Sequence, residues 1–121
     1  MTDLNKMGIG YELAKGYGAE GTSSHSCYIE ATYLELLGIF GHPNGQGDGY
    51  KSSTEWILNP IGDKNTTLTV YDWKICKEYD SSGIDVMKSN RLIEWHIGGN
   101  NVLAERCLEA DVAKRLKELR G

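Results

Sequence analysis

Three short runs of alternating residues between positions 51 and 101 constrain the fold of this chain most strongly. They are SSTEWIL (52–58), TTLTVYDW (66–73) and LIEWHI (92–97), and each holds one of the three Trp residues. Alternation in segments rich in β-branched and aromatic residues is typical of strands with one buried face. The turn NPIGDKN (59–65) joins the first two runs as a hairpin. The pattern therefore predicts a three-stranded antiparallel meander.

The alternation also divides this sheet into two faces, because residues i and i+2 of a strand point the same way. The predicted core face is apolar and comprises Trp56, Leu58, Leu68, Val70, Ile93, Trp95 and Ile97. The opposite face mixes hydroxyls, carboxylates, an imidazole and aromatic rings, on Ser53, Glu55, Ile57, Thr67, Thr69, Tyr71, Trp73, Glu94 and His96. This second face is either solvated, as in many antiparallel sheets, or a binding surface for a planar ligand or a partner.

Apolar residues at helical spacing predict two helices, both on the core face. The first runs from about Ser26 to Phe40, with serines at its start and Gly41 and Pro43 after its end. The second runs from Val102 to Leu119 and opens with Asn100 or Asn101 as the N-cap. Its expected buried stripe is Ala104, Leu108, Val112, Leu116 and Leu119. The predicted fold class is α+β, with a helix, the meander, and a C-terminal helix packed on one sheet face.

The chain of 121 residues is predicted to form one domain, with a glycine-rich N-terminal arm over 1–25 and an α+β core over 26–121. Within the first part, only YELAK (11–15) is expected to make a helical turn. The segment GYGAEGTSSHS (16–26) is expected to be a loop that either cradles an anion or contacts an oligomer partner. The long connection 74–91 is expected to bind something or to become ordered on assembly.

Charge and cysteine usage exclude several classes of function. The net charge of −4 argues against broad binding of a nucleic-acid polymer. No apolar run approaches the length of about 20 residues that a membrane span needs. The three cysteines are widely spaced and form no CxxC pair, which indicates reduced thiols and a cytoplasmic protein.

Two kinds of chemistry are compatible with the polar residues, and neither a metal site nor a cofactor is indicated. Glu94 and His96 share a face and could serve as an acid–base pair or as a plain surface ion pair. Nucleotide binding needs no catalytic group, only stacking, helix N-terminal amides and cations. The candidate residues for such a site are Tyr71, Trp73, Gly99, Asn100, Asn101, Arg106, Lys51 and Arg91.

Four short patterns carry a resemblance to a known family: GDGYK (47–51), EW (55–56), TVYDWK (69–74) and EWHIGGNN (94–101), followed by a helix. They resemble the phage Thoeris anti-defence signal-sponge family, over about residues 28–119. The resemblance implies a non-enzymatic homo-oligomer that sequesters a cyclic ADP-ribose isomer made by a defence TIR protein, and in some members cyclic oligonucleotides. It also implies ligand contacts from an aromatic residue, from an Asn and from Arg residues of the terminal helix. Arg106 and Asn100 or Asn101 match these roles, but Ala110 stands where a second Arg would follow one turn later.

The leading functional hypothesis is a cytoplasmic, phage-type protein that sequesters a nucleotide-derived immune signal without catalysis. One alternative is a protein-directed inhibitor that blocks a host nuclease or defence enzyme through the acidic and aromatic sheet face. A second alternative is a small hydrolase that uses Glu94 and His96. A homo-oligomer is expected, because a three-stranded sheet leaves its edges and one aromatic face uncovered.

Overall fold

The computed structural model describes residues 10–14, 23–45, 53–76 and 79–121, and it has an α+β fold. Its five strands form one antiparallel sheet in the order β1-β3-β4-β5-β2. The elements in chain order are β1 (Tyr11–Leu13), β2 (Ser23–Ala31), α1 (Tyr33–Phe40), β3 (Glu55–Pro60), β4 (Leu68–Tyr71), α2 (Val86–Ser89), β5 (Ile93–Gly99) and α3 (Val102–Leu119). The predicted fold class is confirmed, but the sheet has two more strands than predicted.

The predicted meander is the centre of this sheet, and its apolar face is the core. β3, β4 and β5 pair in sequence order, with Trp56 opposite Val70 and Val70 opposite Ile97. The side chains predicted for this face are buried, except that Ile93 is only partly covered. Alternation therefore assigned the core face correctly, but the opposite face is not exposed throughout, because Ile57 and Thr69 on that face are also buried.

The predicted first helix is wrong in its first half, because residues 23–31 form the edge strand β2. Cys27 and Ile29 point into the core while Tyr28 and Glu30 are exposed, which is a period of two rather than of 3.6. The helix begins only at Tyr33, where Thr32 and Glu35 form a reciprocal capping box. Ladder hydrogen bonds to β5 favour the extended form of the segment before Thr32.

The described part of YELAK, residues 11–14, does not form the predicted helical turn, because Tyr11–Leu13 pairs with β3 as the strand β1. Tyr11 is only 5% exposed, and its hydroxyl donates to Asp111 Oδ2 at 2.8 Å. Part of the expected N-terminal arm therefore belongs to the core. The anion cradle predicted over 16–26 lies mostly outside the described residues, and its last part, from Ser23 onward, is in β2.

Both helices pack on the core face, as predicted. The indoles of Trp56 and Trp95 lie 5.4 Å apart, and each donates its N–H to a backbone carbonyl, of Gly41 and Ala31 respectively. α1 covers this pair with four buried side chains, and α3 adds Leu108, Val112 and Leu116. Leu119 was expected in the buried stripe of α3 but is half exposed. Among the described residues, no helix is both long enough and apolar enough to cross a bilayer.

Side chains form hydrogen bonds to backbone groups at two places near the edges of the sheet. Where β1 ends alongside β3, the Asn44 amide accepts from Ile57 N at 2.7 Å and donates to Ile57 O at 2.9 Å and to Ala14 O at 3.2 Å. At the other edge, Glu109 of α3 accepts from Tyr28 N at 2.7 Å, and Arg120 donates to Glu30 O at 3.1 Å. We call the sheet face opposite the core the open face. Because these backbone groups are already bonded within the molecule, they do not offer hydrogen bonds to a further strand at these positions.

Candidate functional site

Four rings form an aromatic cluster on the open face. Tyr28 of β2, His96 of β5 and Tyr71 of β4 lie side by side, because the strand register places them directly opposite one another. The ring centroids of Tyr28 and His96 are 5.0 Å apart, and those of Tyr71 and His96 are 5.8 Å apart. Trp73 follows the end of β4 and lies 6.0 Å from Tyr71 and 6.3 Å from His96. The cluster therefore offers flat apolar surface beside polar ring atoms.

An open groove of about 400 Å³ adjoins this cluster. It lies between the end of β4, the connection that follows it and the start of β5. Its lining residues are Trp73, Ile75, Ile84, Arg91, Leu92, Ile93, Glu94 and His96. The groove combines an aromatic and aliphatic wall with one cation, Arg91, and one carboxylate, Glu94. That composition is typical of small-molecule sites, where a few polar groups orient a largely apolar contact.

The connection after β4 is folded onto the molecule, which fixes the far wall of the groove. Ile84 N donates to Ile75 O at 2.9 Å, and Cys76 and Ile84 form an isolated parallel bridge. Cys76 is fully buried and Val86 is 4% exposed, so both ends of the turn are anchored in the core. Gly83 is required there, because a Cβ would lie 2.7 Å from the carbonyl oxygens of Ile75 and Cys76. The wall is therefore preformed in the described part of the connection.

The charges around the rings are set by burial and by neighbours. Burial lowers the pKa of His96 below its ordinary value, while the nearby Glu94 raises it by a smaller amount. A neutral imidazole keeps one donor and one acceptor nitrogen. The Lys74 ammonium lies 5.7 Å from the centroid of the Trp73 indole, within cation–π range. A planar ligand at Trp73 would therefore meet aromatic faces with cations close by.

The open face also holds two carboxylates in direct opposition. Glu30 of β2 and Glu94 of β5 are register partners, and they form the next pair after Tyr28 and His96 on this face. Both are exposed. Glu94 and His96 do share this face, as the sequence predicted, and Glu55 joins it opposite Tyr71. In the described segments, no three His, Cys, Asp or Glu side chains converge as metal ligands.

The residues predicted to bind a nucleotide at the start of α3 are engaged in the fold instead. Asn101 caps its own helix by accepting from Ala104 N at 3.0 Å. The Asn100 amide accepts from Thr67 N at 2.9 Å and donates to Asn65 O at 3.0 Å. A Cβ on Gly99 would lie 2.5 Å from the Thr67 carbonyl oxygen, so this glycine permits close packing of the chain. The turn before α3 is thus hydrogen-bonded to the connection between β3 and β4.

The structure therefore brings only part of the predicted site together. Tyr71, Trp73 and Arg91 lie on or beside the open face. Arg106 is exposed on α3, which packs against the other face of the sheet. Gly99, Asn100 and Asn101 form the turn before that helix, and Lys51 lies outside the described residues. Whether any of the eight contacts a ligand stays a prediction.

Sequence reasoning missed Tyr28, Glu30 and the aliphatic wall of the groove. The alternation in CYIEA (27–31) carried the signal for the first two, because it separates Tyr28 and Glu30 from the apolar residues between them. The wall residues Ile75, Ile84 and Leu92 have no common periodicity, so only the folded connection brings them together.

No protein-family model matches this chain, and no curated protein matches it. Any function assigned to the chain therefore rests on the residues of the groove and the open face themselves.

Proposed function

We propose that this protein binds and sequesters a nucleotide-derived immune signal, a cyclic ADP-ribose isomer or a cyclic oligonucleotide, in the groove beside the aromatic cluster. The observation that supports this proposal is that Trp73, His96 and Arg91 line one open groove of about 400 Å³. Aromatic rings and a guanidinium are the groups that bases and phosphates need for stacking and charge-assisted hydrogen bonds.

Three residues of the groove would contact three different parts of the proposed ligand. Trp73 stacks a base, a contact worth about 1–3 kcal/mol in nucleic-acid binding sites. Arg91 pairs with a phosphate, since a guanidinium matches the geometry of phosphate oxygens. Glu94 accepts hydrogen bonds from ribose hydroxyls, the role that a carboxylate has in many dinucleotide sites. The volume lies within the range of about 300–1,000 Å³ usual for small-molecule sites.

In this proposal the protein binds the ligand without converting it. In the hydrolase alternative, the protein cleaves the ligand with residues of the same face. Under that alternative, Glu94 and His96 act as an acid–base pair on the open face. Incubating a cyclic ADP-ribose isomer with the protein and separating the mixture by chromatography distinguishes the two. Sequestration returns the ligand intact after heat denaturation, whereas a hydrolase leaves a ring-opened or cleaved product that disappears in Glu94→Gln.

We also place the protein's action in the cytoplasm of the host cell, as expected for a phage-type protein that competes for a soluble signal. Cys27, Cys76 and Cys107 form no disulfide, and the first two are buried. Cysteines outside disulfides fit a reducing compartment.

Calorimetric titration tests the proposed function directly. The wild-type protein should bind the cyclic ADP-ribose isomer or the cyclic oligonucleotide. Trp73→Ala should weaken that binding by about 1–3 kcal/mol through lost stacking, and Arg91→Ala by about 1.5–3 kcal/mol through a lost charge-assisted bond.

The matched control is Lys88→Ala, which removes an exposed cation of α2 that does not line the groove. It should leave the affinity unchanged. If the wild-type protein binds neither ligand, or if Trp73→Ala and Arg91→Ala bind as well as wild type, the proposal is wrong.

A further inference from the structure

The outward side of α3 carries a stripe of positive charge. We define the α3 stripe as its exposed residues at three- and four-residue spacing: Leu103, Arg106, Cys107, Ala110, Ala113, Lys114 and Lys117. Three of these residues are cations, two are alanines, and Leu103 at one end is 74% exposed. Within α3, which is described in full, the stripe contains no carboxylate.

The acidic residues of α3 do not neutralise this stripe, because most are turned towards the sheet. Glu105 is fully buried. Glu109 accepts from the backbone N–H of Tyr28, and Asp111 accepts from the Tyr11 hydroxyl. Only Glu118, in the last turn, is an exposed acid of this helix. The fold therefore separates the charges of α3 into an inward acidic side and an outward basic side.

The open face has the complementary character. Glu30 and Glu94 oppose each other across β2 and β5, and like charges in direct opposition destabilise a strand pair. Two cations are already close: Arg120 donates to the Glu30 carbonyl, and Arg91 lies in the groove with Glu94. Arg120, however, directs two of its hydrogen bonds to the carboxylate of Glu35. Next to the acids, Tyr28 is 41% exposed and offers apolar surface.

We propose that the open face docks the α3 stripe of a second copy of this chain. Lys114 and Lys117 of one copy then approach Glu30 and Glu94 of the next, and the two alanines of the stripe allow the helix to lie close to the strands. A helix laid on a sheet face is an ordinary layer arrangement in proteins. This contact needs no ligand, although Glu94 also lines the groove of the proposed function.

The two surfaces differ, so the contact is head-to-tail rather than two-fold symmetric. Such contacts generate a closed ring if the rotation between copies closes, and an open filament if it does not. Either way, each copy contributes its helix to one neighbour and its sheet face to the other.

Sedimentation equilibrium at low and high salt tests the docking. At ~50 mM salt the wild-type protein should have a mass that is a multiple of 13.4 kDa, and at ~500 mM salt it should dissociate, because screening weakens exposed ion pairs. The double variant Lys114→Glu, Lys117→Glu should raise the dissociation constant about tenfold or more, as expected for two reversed ion pairs. The matched control, Lys64→Glu with Lys88→Glu, makes the same charge change at exposed positions outside the stripe and should keep the wild-type mass.

A mixing experiment sharpens the test. Glu30→Lys with Glu94→Lys gives the opposite reversal on the open face and should also dissociate alone. Mixed in equal amounts with the Lys114→Glu, Lys117→Glu variant, it should restore the assembly, because each reversed helix then meets a reversed sheet face. A monomeric wild-type protein at low salt, an equal loss in the control variant, or no recovery on mixing overturns the proposal. A monomeric wild type would instead leave the open face for a foreign protein.

Discussion

Both faces of the central sheet carry aromatic residues, but these residues lie in different environments. On the core face, Trp56 and Trp95 are fully buried, and each indole N–H is bonded to a carbonyl. At the open face, Trp73 remains partly exposed, with its ring centroid 6.3 Å from that of His96 and 5.7 Å from the Lys74 ammonium. A fully buried indole contributes its whole surface to stability, whereas a partly exposed indole contributes less and presents a surface for recognition. The faces therefore differ in what their aromatic residues are available to contact.

The largest expected difference between the faces is in stability. Trp95→Ala removes a fully buried indole and its hydrogen bond to Ala31 O, and should lower the free energy of unfolding by about 3–5 kcal/mol. Trp73→Ala should lower it by less than about 1 kcal/mol, as for most partly exposed positions. Urea unfolding followed by circular dichroism measures both. Equal losses for the two variants would mean that the faces are not distinguished as described.

A second test concerns Gly99, which is opposite Leu68 on the core face. Gly99→Ala places a methyl group 2.5 Å from the Thr67 carbonyl oxygen, so the backbone must shift, at a cost of about 1–3 kcal/mol. Gly38→Ala is the matched control, because a Cβ there meets nothing within 4 Å. This variant should leave the urea midpoint of unfolding unchanged or raise it slightly. If Gly99→Ala does not lower the free energy of unfolding, the close packing of this turn does not stabilise the fold.

The N-cap of α3 gives a smaller effect that separates the predicted site from the observed groove. Asn101→Ala removes the bond to Ala104 N and should cost about 1 kcal/mol of stability. Because Asn101 does not line the groove, the affinity for a cyclic ADP-ribose isomer should not change. Asn101→Asp retains an acceptor and should restore the stability. A large loss of affinity in Asn101→Ala with little loss of stability would indicate that the ligand binds at the start of α3, as the sequence predicted, rather than in the groove.

The smallest expected effect is a pH dependence from the open face. Burial lowers the pKa of His96 in the folded chain, so the unfolded chain takes up the proton first as the pH falls below about 6.5. His96 therefore makes the protein less stable on acidification, until the folded state is protonated as well. Replacing His96 with Asn should flatten the slope of Tm against pH between pH ~5 and ~7. An unchanged slope would assign the pH dependence to other groups.

The sequence was sufficient for the elements whose signal is local. Alternation located β3, β4 and β5, and the Asn-capped apolar stripe located α3. β2 was missed because its pairing partner is distant: the Trp95 indole reaches back to Ala31 across 64 positions. β1 has only three residues, and its Tyr11 is held by Asp111 across 100 positions. Contacts between residues so far apart in the sequence select one conformation where the local pattern is compatible with both a helix and a strand.

The same distinction applies to the site. Tyr71, Trp73 and His96 could be placed on one face, because their spacing along β4 and β5 is a local property. The groove could not, since its wall depends on how the connection after β4 folds back between Ile75 and Ile84. The structural role of Asn100 could not be predicted for a related reason: its amide is bonded to Thr67 N, a partner that no local pattern reveals.

The Asn44 side chain has a consequence for how this protein behaves at high concentration. Its single amide group bonds both the N–H and the C=O of Ile57 and also donates to Ala14 O, so it bridges β3 and the residue that follows β1. Unbonded backbone groups beside a strand are a template onto which another chain can add, and repeated addition builds cross-β fibrils. By bonding these groups within the molecule, the amide removes such a template at the point where β1 ends.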